Sequence, residues 1–156
     1  MSQLYQIFLT AGLTVFGGIL VLTAGQVLVR FFIEPIHELR KLIGEIDFSL
    51  TFFANLYANP ATDGLPVDER RRSASDTLRQ QASQLRAGVR AIPCYDLLQT
   101  QMPRFLAKRE HLKKASENLI GLSNGLVVPQ NMLGQIIRNN LKLVAEIRKL
   151  SKLEDH

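Results

Sequence analysis

No charged side chain precedes Arg30, and that uncharged beginning restricts what the chain can fold into more than anything after it. From Tyr5 through Ile33 the sequence YQIFLTAGLTVFGGILVLTAGQVLVRFFI is apolar, with Gln6, Gln26 and Arg30 as its only strongly polar interruptions. A helix rises about 1.5 Å per residue, so roughly 20 residues cross a hydrocarbon core about 30 Å thick. The run exceeds that by about two turns, which leaves room to tilt or to protrude into water. The expected organisation is a transmembrane helix over residues 1–33 and a cytoplasmic helical domain over residues 34–156.

A cleaved signal peptide would need a basic n-region, an apolar core about half as long and a small-x-small cleavage site. MSQLYQ has no Lys or Arg, and the single cysteine is Cys94 rather than a lipid-attachment site near the start. A retained anchor is therefore expected. No basic residue precedes the apolar run, whereas Arg30, Arg40 and Lys41 follow it closely. These three are the expected basic residues of the membrane interface. They place the C-terminal domain in the cytoplasm and the N-terminus outside as a short stub.

The part beyond Ile33 is long enough for one compact domain and too short for two. The chain has a net charge of +5, to which Arg30 contributes one unit. A basic domain beside a membrane points first to anionic lipid headgroups, and nucleic acid is the other partner such charge suggests. Tryptophan is absent, which weakens the case for a base-stacking surface. One cysteine excludes an intramolecular disulfide and fits a reducing compartment.

The rest reads as helix throughout. Pro35 suits the first turn of a new helix or a kink just outside the membrane. Beyond it Ile36, Leu39, Ile43, Ile46, Leu50, Phe53 and Tyr57 recur at spacings of three and four, and Leu42, Phe52 and Leu56 widen this seam into a buried face. Turn chemistry from Asn59 to Pro66 ends it. A second helix is expected from about Asp68, with Ala74, Leu78, Ala82, Leu85, Val89 and Ile92 buried and Pro93 as its stop. Its alanines would let a neighbour approach closely, so the pair reads as an antiparallel hairpin. A short helical piece at Tyr95–Leu98 precedes Pro103. The third helix is expected to bury Phe105, Leu112, Ala115, Leu119, Leu122 and Leu126, with Asn124-Gly125 as a left-handed cap. The fourth is expected from about Pro129, using Leu133, Ile136, Ile137, Val144, Ile147 and Leu150. The predicted fold is all-α: one N-terminal transmembrane helix followed by a cytoplasmic four-helix bundle.

Within the span, Ala11, Gly18 and Gly25 fall seven residues apart, with Thr14 between the first two. Helices in lipid gain little from hydrophobic contact and associate through close packing over small residues. A lone span has no partner in its own chain, so this stripe is expected to mediate helix packing between subunits, making a homo-oligomer. Gln26, near the boundary, is expected to be hydrated. The triple arginine Arg70–Arg72 sits where a helix dipole disfavours cations and reads as a solvated face. Glu110 lies three and four residues before Lys113 and Lys114, suited to intrahelical pairs. Cys94, at a helix break, reads as a small buried thiol. No metal-ligand cluster, glycine-rich phosphate loop or spaced carboxylate pair occurs, so neither a metal nor a cofactor is expected.

Arg104 precedes His111 with six residues between them, as Arg30 precedes His37. That spacing resembles the motif of the HEPN ribonucleases, small helical domains whose paired Arg and His side chains act on RNA at a dimer interface. The resemblance makes Arg104 and His111 the catalytic candidates. The segments FFIEPIHELRKLIGEI, FFANLYANP and ENLIGLSNGL resemble a widespread group of bacterial single-span proteins, which implies the bacterial inner membrane but no activity. An N-terminal span with a HEPN-like domain is also similar in layout to the membrane accessory protein of type VI-B CRISPR systems. That likeness implies a ring-shaped pore and a role in antiviral defence. The leading expectation is a non-enzymatic, self-associating membrane protein that perturbs or perforates the bilayer in defence or stress. The alternatives are a membrane-tethered adaptor with a cytoplasmic protein partner and a HEPN-like ribonuclease.

Overall fold

An apolar stretch free of proline propagates as helix until something interrupts its ladder of hydrogen bonds. In the computed structural model, which describes residues 3–58, 69–126 and 133–151, α1 (Gln3–Leu28) runs directly into a single π turn (Val29–Ile33) and then into α2 (Glu34–Phe52). The Glu34 N–H reaches back to the Val29 carbonyl, five residues away. The cause is the next residue. Pro35 has no N–H to give and its ring would press on the preceding turn, so the helix widens by one residue ahead of it. Pro35 does lie in the first turn of α2, as expected, but neither a new helix nor a break begins there. One helical rod of about 75 Å, at about 1.5 Å per residue, crosses the expected boundary at residue 33.

After α2 come α3 (Ala54–Ala58), α4 (Glu69–Ala91), α5 (Tyr95–Gln101), α6 (Arg109–Gly125) and α7 (Leu133–Leu150), with no strand among the described residues. The expected turn at 59–66, the helix start at Asp68 and the start at Pro129 lie outside those residues. α4 packs on both α2 and α6, and α7 packs on α6 and α3. Gln81 Nε2 on α4 donates to the Glu45 carbonyl at 3.2 Å and to Ser49 Oγ at 2.8 Å. The Arg148 guanidinium on α7 donates to Asp47 Oδ1 at 3.1 Å and to Thr51 Oγ1 at 3.0 Å, tying the last helix to α2. Between α4 and α6, Ser75 Oγ donates to the Ser123 carbonyl and Arg86 Nε to Ser116 Oγ.

The core lies among these helices. Leu39, Ile46, Leu50 and Tyr57 from α2 and α3 meet the whole expected line of α4, Ala74 through Ile92, together with Leu112, Ala115, Leu119, Leu122 and Leu126 from the α6 segment and Val144 and Ile147 from α7. Each fully buried Leu or Ile contributes about 1.5–3 kcal/mol relative to exposure. Ile36, Leu42, Ile43, Phe53 and Leu56 pack against the edge of this core.

Several expectations are corrected. Phe52 and Phe105 are exposed. Phe105 precedes α6, because the chain after Pro103 stays irregular until Arg109, and this brings Leu106 and Ala107 into the core instead. Among the described residues, Glu110 makes no ion pair with Lys113 or Lys114; the three ion pairs are Arg86–Glu117, Arg109–Asp96 and Arg148–Asp47.

Gly125 has no positive φ, so the left-handed cap is absent and α6 ends on a right-handed Leu126. The glycine is needed for space: a Cβ there would lie 2.5 Å from Asn140 Oδ1 on α7, and Asn140 is itself buried. Gly125→Ala is therefore expected to destabilise the protein by about 1–3 kcal/mol in urea denaturation followed by circular dichroism. Gly88→Ala is expected to be neutral or stabilising, since its Cβ would meet only a Leu39 methyl at 3.3 Å and alanine favours helix by about 1 kcal/mol. Equal effects at both positions would contradict the close α6–α7 approach.

Candidate functional site

Two parts of the molecule hold the sequence-predicted residues: the bare face of α1, and the end of the helical domain beside it. No described residue of α1 is buried. Ala11, Thr14, Gly18 and Gly25 are all exposed along one side, and a Cβ added at Gly12, Gly17, Gly18 or Gly25 would meet nothing within 4 Å. The Thr14 hydroxyl donates to the Thr10 carbonyl at 2.9 Å, and Thr10 and Thr23 do the same one turn back. With their protons satisfied inside the helix, these threonines offer small, nearly apolar surfaces to whatever lies alongside.

The π turn sets where that face points. At seven-residue spacing, Ala11, Gly18 and Gly25 lead through Phe32 to Leu39 and Ile46, which are the buried line of α2. A regular helix would thus keep the small stripe nearly above the domain core. One extra residue in the turn rotates the following helix by about 100°, so the stripe faces away from the core. Periodicity alone gave no sign of this, although Pro35 was the available signal.

At the other end of α1, Arg30 in the π turn and Arg40 and Lys41 on α2 are exposed. Gly88 and Ala91 at the end of α4 line a shallow concavity together with Arg30, Pro35 and Leu39. The α4–α6 connection is therefore held at the level where α1 ends. Within it Tyr95 is fully buried, and its hydroxyl donates to the Ala107 carbonyl at 2.7 Å. Burial pushes the Tyr95 phenol up to about 12; the Arg109 guanidinium opposes the shift and Asp96 adds to it. That guanidinium lies 5.1 Å from the centre of the Tyr95 ring and 3.1 Å from Asp96 Oδ1. The Arg40 guanidinium stands 5.5 Å from the Phe105 ring centre, a cation–π contact that ties the connection to α2.

Arg104 is exposed in the turn after Pro103, and His111 is half-buried in the first turn of α6. Among the described residues no hydrogen bond or ion pair joins them. Arg30 lies in the π turn and His37 on α2, likewise unjoined. Cys94 is exposed, which corrects the expectation of a buried thiol. Its backbone is left-handed, with φ 50° and ψ 37°, in the turn between the end of α4 and the start of α5. Arg70 and Arg72 are exposed at the opposite end of the domain. Phe48 and Phe52, also toward that end, are stacked with ring centres 5.8 Å apart and are 68% and 58% exposed. Phe52 falls on the expected buried seam and Phe48 falls off it, yet both stand out from the core. Compared with protein families, curated proteins and solved structures, the chain matches none.

Proposed function

We propose that this is a non-enzymatic, single-pass membrane protein that assembles with copies of itself through its span and carries a four-helix bundle in the cytoplasm. The observation that carries the reading is the state of α1: 26 residues with no described residue buried and with Ala11, Thr14, Gly18 and Gly25 exposed along one side, turned away from the chain's own core. Apolar helix without protein cover is stable in hydrocarbon, where each backbone group is paired within the helix, and a small-residue face is the surface on which such helices pack. The bacterial inner membrane is the proposed location. An assembly of six or more subunits would be large enough to close a ring, and conductance across planar bilayers tests the pore form of the reading.

The span supplies the test. Replacing Gln3–Leu28 with an unrelated apolar helix of the same length is expected to keep the protein in the membrane and abolish its assembly. Retained assembly would place the contact in the bundle and overturn the role given to the stripe. Orientation is tested separately in a Cys94→Ser, Ser83→Cys chain. A membrane-impermeant maleimide is expected to label Ser83→Cys in inside-out vesicles and not in intact spheroplasts; the opposite pattern would invert the topology.

A second reading has its own observation. The exposed Phe48–Phe52 stack lies on the domain rather than the span, and exposed aromatic pairs suit protein contacts. In a tethered adaptor that pair would receive a cytoplasmic protein, and replacing the span would leave function intact.

A further inference from the structure

The end of the domain beside the span carries a surface unlike the others. α4 runs toward the exit of α1 and α6 runs away from it, so the connection from Ile92 to Lys108 closes the domain at that end. Three large apolar side chains stand out from this connection: Leu97, Met102 and Phe105 are 63%, 41% and 57% exposed. Between residues 90 and 109 the cations are Arg90, Arg104, Lys108 and Arg109, and the sole carboxylate is Asp96, which Arg109 already engages at 3.1 Å. Among the described residues Arg90, Arg104 and Lys108 make no ion pair, and exposed apolar side chains among such cations are the composition of a segment that lies in a headgroup layer.

Position agrees with composition. Arg40 reaches the Phe105 ring, and it sits six residues beyond Glu34 on the same rod as α1. Six residues are about 9 Å of helix, comparable with the roughly 5–10 Å depth of the interfacial region. We propose that the Ile92–Lys108 connection docks on the anionic phospholipid surface of the bilayer that α1 crosses. Leu97 and Phe105 enter the headgroup level, and Arg90, Arg104 and Lys108 face phosphates. The proposal rests on α1 being a membrane span. It gives Arg104 a role in lipid contact, and it fixes the tilt of the domain against the membrane through a second attachment.

The chain has no tryptophan, so one introduced indole reports a single position. Full-length Phe105→Trp, Leu97→Trp, Phe52→Trp and Phe16→Trp are each placed in nanodiscs of phosphatidylglycerol and phosphatidylcholine brominated near the headgroup end of the acyl chains. Phe105→Trp and Leu97→Trp are expected to be quenched at least about half as strongly as Phe16→Trp, and Phe52→Trp to stay unquenched. In discs of brominated phosphatidylcholine alone, quenching at positions 105 and 97 should fall while that at position 16 persists. If Phe105→Trp and Leu97→Trp both behave like Phe52→Trp while Phe16→Trp is quenched, the docking proposal is overturned and the span reading stands. An unquenched Phe16→Trp overturns both. Equal quenching at positions 105 and 97 in neutral and anionic discs overturns the assignment to anionic lipid.

Discussion

Leucine at both Gly18 and Gly25 is expected to convert the full-length protein in mild detergent from an oligomer to a monomer. A Cβ at either position meets nothing within the chain, so the substitution leaves the fold alone and alters only what approaches from outside. In lipid, association depends on close backbone contact, and two isobutyl groups on the contact line hold the helices apart. Leucine also raises helix propensity, so loss of the helix cannot explain loss of assembly. Two valines offer the comparison: Val15→Leu and Val21→Leu, on exposed residues near the stripe, add one methylene each and are expected to change the mass little. Cross-linking before and after the substitution reads the outcome. An oligomer that survives Gly18→Leu with Gly25→Leu would remove the stripe from the interface.

Tyr95→Ala should produce the largest loss of stability, about 3–5 kcal/mol, measured by urea denaturation in detergent. The ring is fully buried, Arg109 stacks on it, and its hydroxyl holds the Ala107 carbonyl of the connection between α5 and α6. Tyr95→Phe keeps the ring and is expected to cost about 1–2 kcal/mol for the unpaired carbonyl. The phenol also sets a pH dependence of known sign. Its folded value is raised, from 10.0 to about 12, so the fold favours the neutral form. The stability this supplies is complete below pH 10 and is lost as pH rises through 12, when the unfolded chain gains by ionising first. The advantage of the wild-type chain over Tyr95→Phe should therefore shrink between pH 10 and 12. A gap independent of pH would contradict the buried phenol.

Helix positions were legible where apolar residues repeat at three and four over a long segment. The α4 line from Ala74 to Ile92 is buried throughout, because one continuous helix keeps its period. Misplaced residues lie where the chain stops being periodic. Phe105 is seven residues before Leu112 and fits the helical count, yet Pro103 delays α6 to Arg109 and the intervening backbone turns Leu106 and Ala107 inward instead. Asn124-Gly125 suggests conformational freedom as the role of the glycine, while its use is the space it leaves for Asn140, which depends on a helix later in the chain. The rotation of the small stripe away from Leu39 and Ile46 depends on a π turn that no seven-residue count can register. Of the candidate residues, spacing picks out the small stripe and composition picks out Arg30, Arg40 and Lys41, and all of these are exposed. The apolar surface at Leu97, Met102 and Phe105 is not legible in the sequence, because it exists only once the connection is folded against α2.

Self-association through the span sets the mass of the purified full-length protein in mild detergent. Light scattering with the detergent contribution subtracted is expected to give one discrete oligomer whose mass holds across a wide range of protein concentrations. A monomer over that whole range would contradict the account.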